Sequence, residues 1–400
     1  MISSPLRILY VATKPAFPPR DGGRLLMWNT IVQLAARGHD ITFVAPDLAL
    51  DHRESEEHLS RYCASVHLVS GRAGRLAPSL IGARLSAQPL SIIRHSHRSV
   101  RTCVAEALVR ETYDIIHAEQ IHALANLPHS GPLPTVVLRV QNVESQLWRM
   151  VARIKPRIAW LARREARHMA AYEASAVART TTTIALTDHD GTLLGGALGM
   201  AARRIRVIPP PFPSPLTMTE EPLEGDPAIV LVAGGWLPNQ DSTRWFFASI
   251  WDEIRHLMPE AQIHVFGGKA PKTASEVNWE RAPSDSITLF RRGAILVVPL
   301  RVASGIRMKI LEAWARGVPV VASPEAVSGL DGIDGRDFFL ARDGSEFAAA
   351  IQRLHGDPNL RQRLIDSGRA ALTARHEPGL VASMLEAAYV EAAALGSRVS

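Results

Sequence analysis

Short, nearly continuous apolar runs alternate with longer stretches of helical spacing along the first half of the chain. The runs at 7–13 (RILYVAT), 41–45 (ITFVA), 66–69, 115–118, 135–140 (TVVLRV), 184–187 and 205–208 have the make-up of strands covered on both faces. That is the signature of a parallel sheet, in which no strand keeps a solvent side. Between the first two runs, 24–37 reads as a helix stopped by Gly38, and strand–helix–strand repeated in this way predicts a doubly wound sheet. The pattern breaks at 209–215 (PPPFPSP), because proline lacks a backbone donor and restricts the residue before it. It then restarts, with strands expected at 228–233, 262–266, 295–299, 319–322 and 337–340 and helices at 242–257 and 308–316. The segment 378–395 has helical periodicity with no strand after it. The expected domains are therefore 1–208, a Pro-rich linker 209–225, a second domain 226–377, and a last helix and tail 378–400.

Length agrees with two domains, since 400 residues with 46% hydrophobic content exceed one ordinary core. The two cysteines, Cys63 and Cys103, form no CxxC or Cys/His ligand set, which excludes a disulfide framework, argues against zinc and fits a reduced, cytoplasmic setting. No charged-then-apolar leader and no run of eighteen apolar residues is found, so neither a signal peptide nor a membrane span is expected. The net charge of +6 is unevenly spread. Arg149, Arg153, Lys155, Arg157, Arg163, Arg164 and Arg167 crowd one segment, interleaved with Trp148, Ile154, Ile158 and Trp160. Two readings stay open: a basic amphipathic helix on an anionic membrane surface, or a solvated helix with one face on the core. No nucleic-acid fold signature accompanies the charge, so no nucleic acid is expected as a partner.

Two glycine-bearing turns carry candidate chemistry. Arg20-Asp21-Gly22-Gly23-Arg24 opens the first helix, where exposed amides and the helix dipole favour an anion; the same glycine pair also suits a plain turn. It is not the GxGxxG of a dinucleotide site, which disfavours a dehydrogenase. Ser304-Gly305-Ile306-Arg307-Met308-Lys309, after the strand ending at Pro299, reads as a helix start with Ser304 as N-cap. Arg307 and Lys309 then oppose the helix dipole, and cations in that position either point to a bound diphosphate or are plain surface charges. Glu312 could hold a ribose through its carboxylate or pair locally on its helix. His117 and Glu119 end one strand, while Gln141, Asn142 and Glu144 follow the next. Each is either a site group or a capping or core group, and Glu144 is the candidate base. Asp188-His189-Asp190 is expected to cap a helix. No paired carboxylates at a strand end offer a divalent ion a seat.

The stretch 304–322 (SGIRMKILEAWARGVPVVA) resembles the carboxyl-terminal signature of group 1 glycosyltransferases, which are retaining and have the GT-B fold. Gly234-Gly235-Trp236-Leu237-Pro238-Asn239-Gln240-Asp241 with Trp245-Phe246-Phe247, 114–119 (DIIHAE) and 141–145 (QNVES) are similar to a bacterial branch associated with exopolysaccharide synthesis. The resemblance implies an α/β GT-B fold of two Rossmann-like doubly wound domains facing a cleft, with the last helix crossing back to the first domain. It implies a nucleoside-diphosphate-sugar donor, a saccharide or lipid-linked acceptor, retention, and no cofactor or metal, at a cytoplasmic or peripheral inner-membrane location. By the same resemblance the donor side is Gly235, Trp236, Asn239, Ser304, Gly305, Ile306, Arg307, Lys309 and Glu312, with Glu312 on the ribose and the amides of Gly305 and Ile306 on the diphosphate. Gly22, Gly23, Arg24, Gln141 and Asn142 form the acceptor or phosphate loop, and His117, Glu119 and Glu144 the catalytic set. Two departures stand out. The family's sugar-contacting acid lies eight positions before its ribose acid, where this chain has Ser304, and its basic pair is missing from 236–241. Arg307 and Lys309 are expected to take over that charge. A catalytically weak partner or regulatory subunit, and a nucleotide-sugar epimerase, remain as alternatives.

Overall fold

The computed structural model describes residues 5–47, 52–70, 88–128, 131–196, 204–268, 277–281, 283 and 286–396. Among these, two all-parallel sheets are present, one in each of two compact units. The first unit joins 1–211 to 378–400, and the second is 212–377. The boundary thus gives the first prolines of the 209–225 stretch to one unit and the rest to the other.

The first sheet has the order β3-β2-β1-β4-β5-β6-β7. Its strands are β1 Arg7–Val11, β2 Asp40–Asp47, β3 Ser65–Ser70, β4 Ile115–Glu119, β5 Thr135–Val140, β6 Thr182–Ala185 and β7 Ile205–Val207. Successive side chains alternate between two cores. Ile8, Tyr10 and Phe43 face Met27, Ile31 and Leu34 of the Gly22–Ala36 helix together with Val381, Leu385 and Tyr389. Leu9, Val11 and Ile116 face Val100, Val104, Met169 and Ala176. The continuous apolar runs are explained by this two-sided burial, each large side chain contributing about 1.5–3 kcal/mol.

The second sheet runs β10-β9-β8-β11-β12-β13. It comprises β8 Ala228–Val232, β9 Gln262–Phe266, β10 Asn278–Glu280, β11 Ile295–Val298, β12 Val320–Ala322 and β13 Phe339–Leu340. β10 was not anticipated, because Asn-Trp-Glu on an edge shows no apolar run. The expected helix at 242–257 starts earlier, at Leu237, with Pro238 in its first turn where a missing N–H costs nothing. It gives way at Ile250 to a separate helix, Trp251–Leu257.

The helix Pro378–Gly396 belongs to the first unit and packs on the Gly22–Ala36 helix and β5. The continuous stretch Pro358–Gly396 is long and apolar enough, by composition, to cross a membrane. No such span was expected. Val381, Ala382, Leu385, Ala388, Tyr389 and Ala392 are nonetheless buried within the unit, so much of that apolarity is used in packing.

Candidate functional site

In both sheets the direction of winding reverses at one place, between β1 and β4 and between β8 and β11. The carboxyl ends of strands at such a reversal are where open α/β sheets bind ligands.

In the first unit, Asp21 caps the helix that begins at Gly22, accepting from the Arg24 amide at 3.0 Å. Lys14 Nζ lies 2.7 Å from one Asp21 oxygen and Arg24 Nη1 2.6 Å from the other. Burial works to raise the Asp21 carboxyl, but the charges and hydrogen bonds of Lys14 and Arg24 prevail and hold it low. The positive helix end already has its anion. Gly23 is needed for a different reason: a Cβ there would stand 2.6 Å from Gln141 Oε1.

Gln141 links two groups. Its Oε1 accepts from Gln120 at 2.7 Å, and its amide donates to Glu119 at 3.0 Å. Gln120 has φ +68°, an unfavourable conformation for a side-chain-bearing residue, and also meets Thr13 Oγ1 at 2.6 Å. Glu119 is fully buried. Arg139, its register partner on β5, donates Nε to it at 3.0 and 3.2 Å and Nη2 as well. Tyr10 OH also donates to Glu119, and Arg139 reaches Tyr10 OH and Thr30 Oγ1 at 2.9 Å each. His117 stands 3.2 Å from Glu119 through Nε2 and 2.7 Å from Tyr389 OH through Nδ1. Burial opposes ionisation of both groups. It wins at His117, whose pKa is lowered, and loses at Glu119, where Arg139 keeps the carboxylate far below its ordinary range. A neutral imidazole then donates from Nε2 and accepts the Tyr389 proton at Nδ1. His117 and Glu119, expected as catalytic groups at a strand end, are 0% exposed. Their chemistry is spent inside the unit, because Arg139 draws Glu119 inward.

Asn142 and Glu144 form a separate group. Glu144 opens the helix Glu144–Ile154, and its carboxyl is pushed up to about 7 by burial and by Glu173, against a hydrogen bond from Asn142. Glu173, itself raised by burial, accepts from the Ser145 amide at 3.0 Å. A carboxyl poised near neutrality suits a general base. An acid raised in this way binds more protons folded than unfolded, so its stabilising contribution is complete below about pH 4.5 and is lost as pH rises through 7. Glu144→Gln should therefore leave stability near pH 5 little changed and add about 1–2 kcal/mol near pH 8. Urea unfolding at the two pH values checks this, and equal effects at both would defeat it. The cap expected of Asp188-His189-Asp190 falls instead to Thr187, which accepts from the Asp190 amide at 3.0 Å, and Asp188 and Asp190 lie in the first helical turn.

In the second unit, β8 runs into Ala233-Gly234-Gly235 and then into the Leu237–Ser249 helix, with Trp236 at its cap. Asn239 folds over the glycines, its Nδ2 2.7 Å from where a Gly234 Cβ would lie. Gln240 donates to the Gly235 carbonyl at 2.6 Å. A cavity of about 800 Å³ opens here, lined by Gly234, Gly235, Arg244, Phe247, Gly268 and Trp279 among others. Phe247 and Trp279 stack with ring centroids 6.0 Å apart. Arg244 and Arg301 both approach Asp241, Arg301 through two bonds of 2.8 and 3.0 Å. Two cationic groups thus gather on Asp241, Arg244 from the same helix and Arg301 from just beyond β11. A basic residue three positions after Asp241 was visible in the sequence; its neighbours on β10 and at Gly268 were not.

The 304–309 stretch departs from the expected helix start. Arg307, not Ser304, is the cap of the Met308–Arg316 helix. The reason is Gly305, at φ +69°, which turns the backbone away before any helical residue forms. Ser304, Ile306 and Arg307 are all buried, and Arg307 Nη2 bonds the Ser304 carbonyl. Lys309 reaches across to β8, donating to the Val232 carbonyl at 3.1 Å. That puts its ammonium at the end of β8, one residue before Ala233, while the cavity wall itself is made by residues of 233–248 with Gly268 and Trp279 and not by 304–309. Burial, reinforced by Arg307, pushes the Lys309 pKa down to about 8. Glu312 is buried and takes Arg316 Nε at 3.1 Å, the local pairing that was one of its two readings.

Residues 227–357 match the model of the family "Glycosyl transferases group 1". No curated protein matches the chain. Among solved structures it is similar to sucrose-phosphate synthase from Thermosynechococcus elongatus, with 16% identity over 96% of this chain and 98% of that one, at a TM-score of 0.70. Anabaena HepE in complex with UDP-glucose shares 14% identity over 96% and 100%, at 0.65. A glycosyltransferase from Rickettsia africae shares 11% over 97% and 99%, at 0.60. At such identities the likeness is one of fold, and the fold is GT-B.

Proposed function

Starting from a second unit that carries a group 1 glycosyltransferase domain, we propose that the protein transfers a sugar from a nucleoside diphosphate sugar to an acceptor hydroxyl, in polysaccharide or glycolipid synthesis and with retention. The observation that carries this is the hydrogen bond of half-buried Lys309 to the Val232 carbonyl, which holds a cation at the end of β8, where the chain runs on into the glycine-lined cavity. Breaking a glycosyl–phosphate bond leaves negative charge on the diphosphate. Lys309 and Arg307, held in place before the reaction, stabilise that charge, together with the amides of Gly305 and Ile306. Glu312 is oriented by Arg316 to receive ribose hydroxyls. No metal is required in this scheme. Glu144, with its carboxyl near neutrality, takes the acceptor proton, Asn142 holds it in place, and the saccharide or lipid-linked acceptor lies on the first unit by Gln141 and Gly23. His117 and Glu119 act as positioning residues behind Gln141.

Calorimetry with UDP, GDP and ADP, followed by turnover of the corresponding sugars with and without EDTA, tests the reading. One diphosphate should bind at micromolar to millimolar levels, and turnover should survive chelation. Absence of binding by all three would remove the donor site. Binding without turnover of any sugar would favour a catalytically weak partner, a reading with one specific motive: Ser304, buried where the family places an acid.

A further inference from the structure

The helices Glu144–Ile154 and Ala159–Arg179 pack against each other, joined by the short turn Pro156–Ile158. Their inner faces are accounted for by the core of the first unit, where Leu147, Val151, Ala162, Ala166, Met169 and Ala176 are buried. Their outer surface has no such explanation. Arg149, Arg153, Arg157, Arg163 and Arg167 are exposed, and Lys155 and Arg164 are half-buried beside them. The one acid within 149–167, Glu165, is 1% exposed and turned inward, accepting from the Leu90 amide at 2.8 Å and from Arg164 at 3.2 Å. Among the described residues no carboxylate forms an ion pair with Arg153, Lys155, Arg157, Arg163 or Arg167. Solvent therefore meets only positive charge.

Apolar groups sit within that charge. Trp160 is 71% exposed, the most exposed aromatic residue among those described, and Ile158 is 39% exposed. Trp160, Arg163, Arg164 and Arg167 follow the spacing that places them along one stripe of their helix. A large ring left in water costs hydrophobic free energy, and seven neighbouring cations repel one another. Both costs are relieved by one kind of partner, a surface that is anionic outside and apolar a few ångströms below.

We propose that this turn docks the protein on an anionic lipid bilayer, with Trp160 and Ile158 entering the headgroup boundary and the surrounding arginines on lipid phosphates. Indole rings favour that boundary, and each basic side chain near an anionic leaflet adds to the attraction. A single nucleic-acid strand fits less well, because it is held by successive aromatic platforms, whereas here one ring is flanked by aliphatic Ile158 and Leu161. The inference is independent of the transferase reading.

The test is sedimentation of the full chain with vesicles of phosphatidylcholine alone or mixed with phosphatidylglycerol. Binding is expected to the mixed vesicles only, weakening as salt rises. The combined variant Arg153→Glu/Arg157→Glu/Arg163→Glu should lose about a hundredfold or more in partitioning. Trp160→Ala should lose about tenfold and also the part of the fluorescence quenched by brominated lipid. Thermal unfolding of both variants should match the parent, since none of these side chains is packed in the core. Equal partitioning of parent and variants, or no binding to the mixed vesicles, overturns the proposal. Capture of a single-stranded oligonucleotide without vesicle binding would overturn it in favour of nucleic acid.

Discussion

Lys309→Glu is expected to weaken nucleoside diphosphate binding by about a hundredfold or more at pH 7, a loss in keeping with removal of one partner from a desolvated charge pair. The parent ammonium is already costly to hold: burial and Arg307 bring its pKa down to about 8. In the ligand-free chain this depressed base contributes stability above its unfolded value near 10.5, and that contribution is lost as pH falls through 8. A bound diphosphate reverses the balance, because its charge favours the ammonium. Affinity should accordingly be greatest below pH 8 and decline by up to about tenfold per pH unit above it. Lys309→Met, nearly isosteric and uncharged, should bind weakly with little pH dependence between 7 and 9.5. Calorimetric titration across that range measures both. A dissociation constant for Lys309→Met within about threefold of the parent, or a parent affinity flat with pH, would remove Lys309 from the donor site.

Arg139→Leu should destabilise the first unit by about 3–5 kcal/mol, since it strands a buried carboxylate. Glu119 has 0% exposure and takes two guanidinium nitrogens, so no water can replace them. Its depressed pKa means that the stabilisation is present above about pH 4.5 and is lost as pH falls through its folded value. The deficit of Arg139→Leu should therefore shrink toward acid pH as Glu119 takes a proton. The double variant Arg139→Leu/Glu119→Gln should recover much of the loss at pH 7, because the uncompensated charge is gone. Urea unfolding followed by hydrogen exchange on β4 and β5 reads the effect in the unit concerned. A single-variant cost below about 1 kcal/mol would mean that the network is not held by its charges.

What was legible from the residues followed from burial on both faces. Strands such as β1, β5 and β8 announce themselves as apolar runs, and the last helix as a periodic stretch with no strand to follow. β10 failed that test because a three-residue edge strand needs no apolar content. Among the site groups, the turn at Gly305 was located correctly while its geometry was not: a positive φ moves the helix start to Met308 and gives the cap to Arg307. His117 and Glu119 stand near the end of one strand, a place that suits a site group as well as a core group. The signal for the core was Arg139, a lone guanidinium inside an apolar run, which in a sheet covered on both faces must find a carboxylate on a neighbouring strand. The cavity wall made by Phe247, Gly268 and Trp279 comes from three separate elements, and no local pattern joins them.

The helix Pro378–Gly396 completes a body whose remainder lies before residue 212, and Tyr389 closes on His117 across 272 positions of chain. During synthesis, then, the earlier half emerges with the seat of that helix bare: Ile8, Tyr10 and Met27 lack their apolar cover until the whole intervening body has been made. The part translated first is finished last. A ribosome stalled after the second body would carry a first half that is sticky and open to proteases, and release of the nascent chain's final turns would seal it.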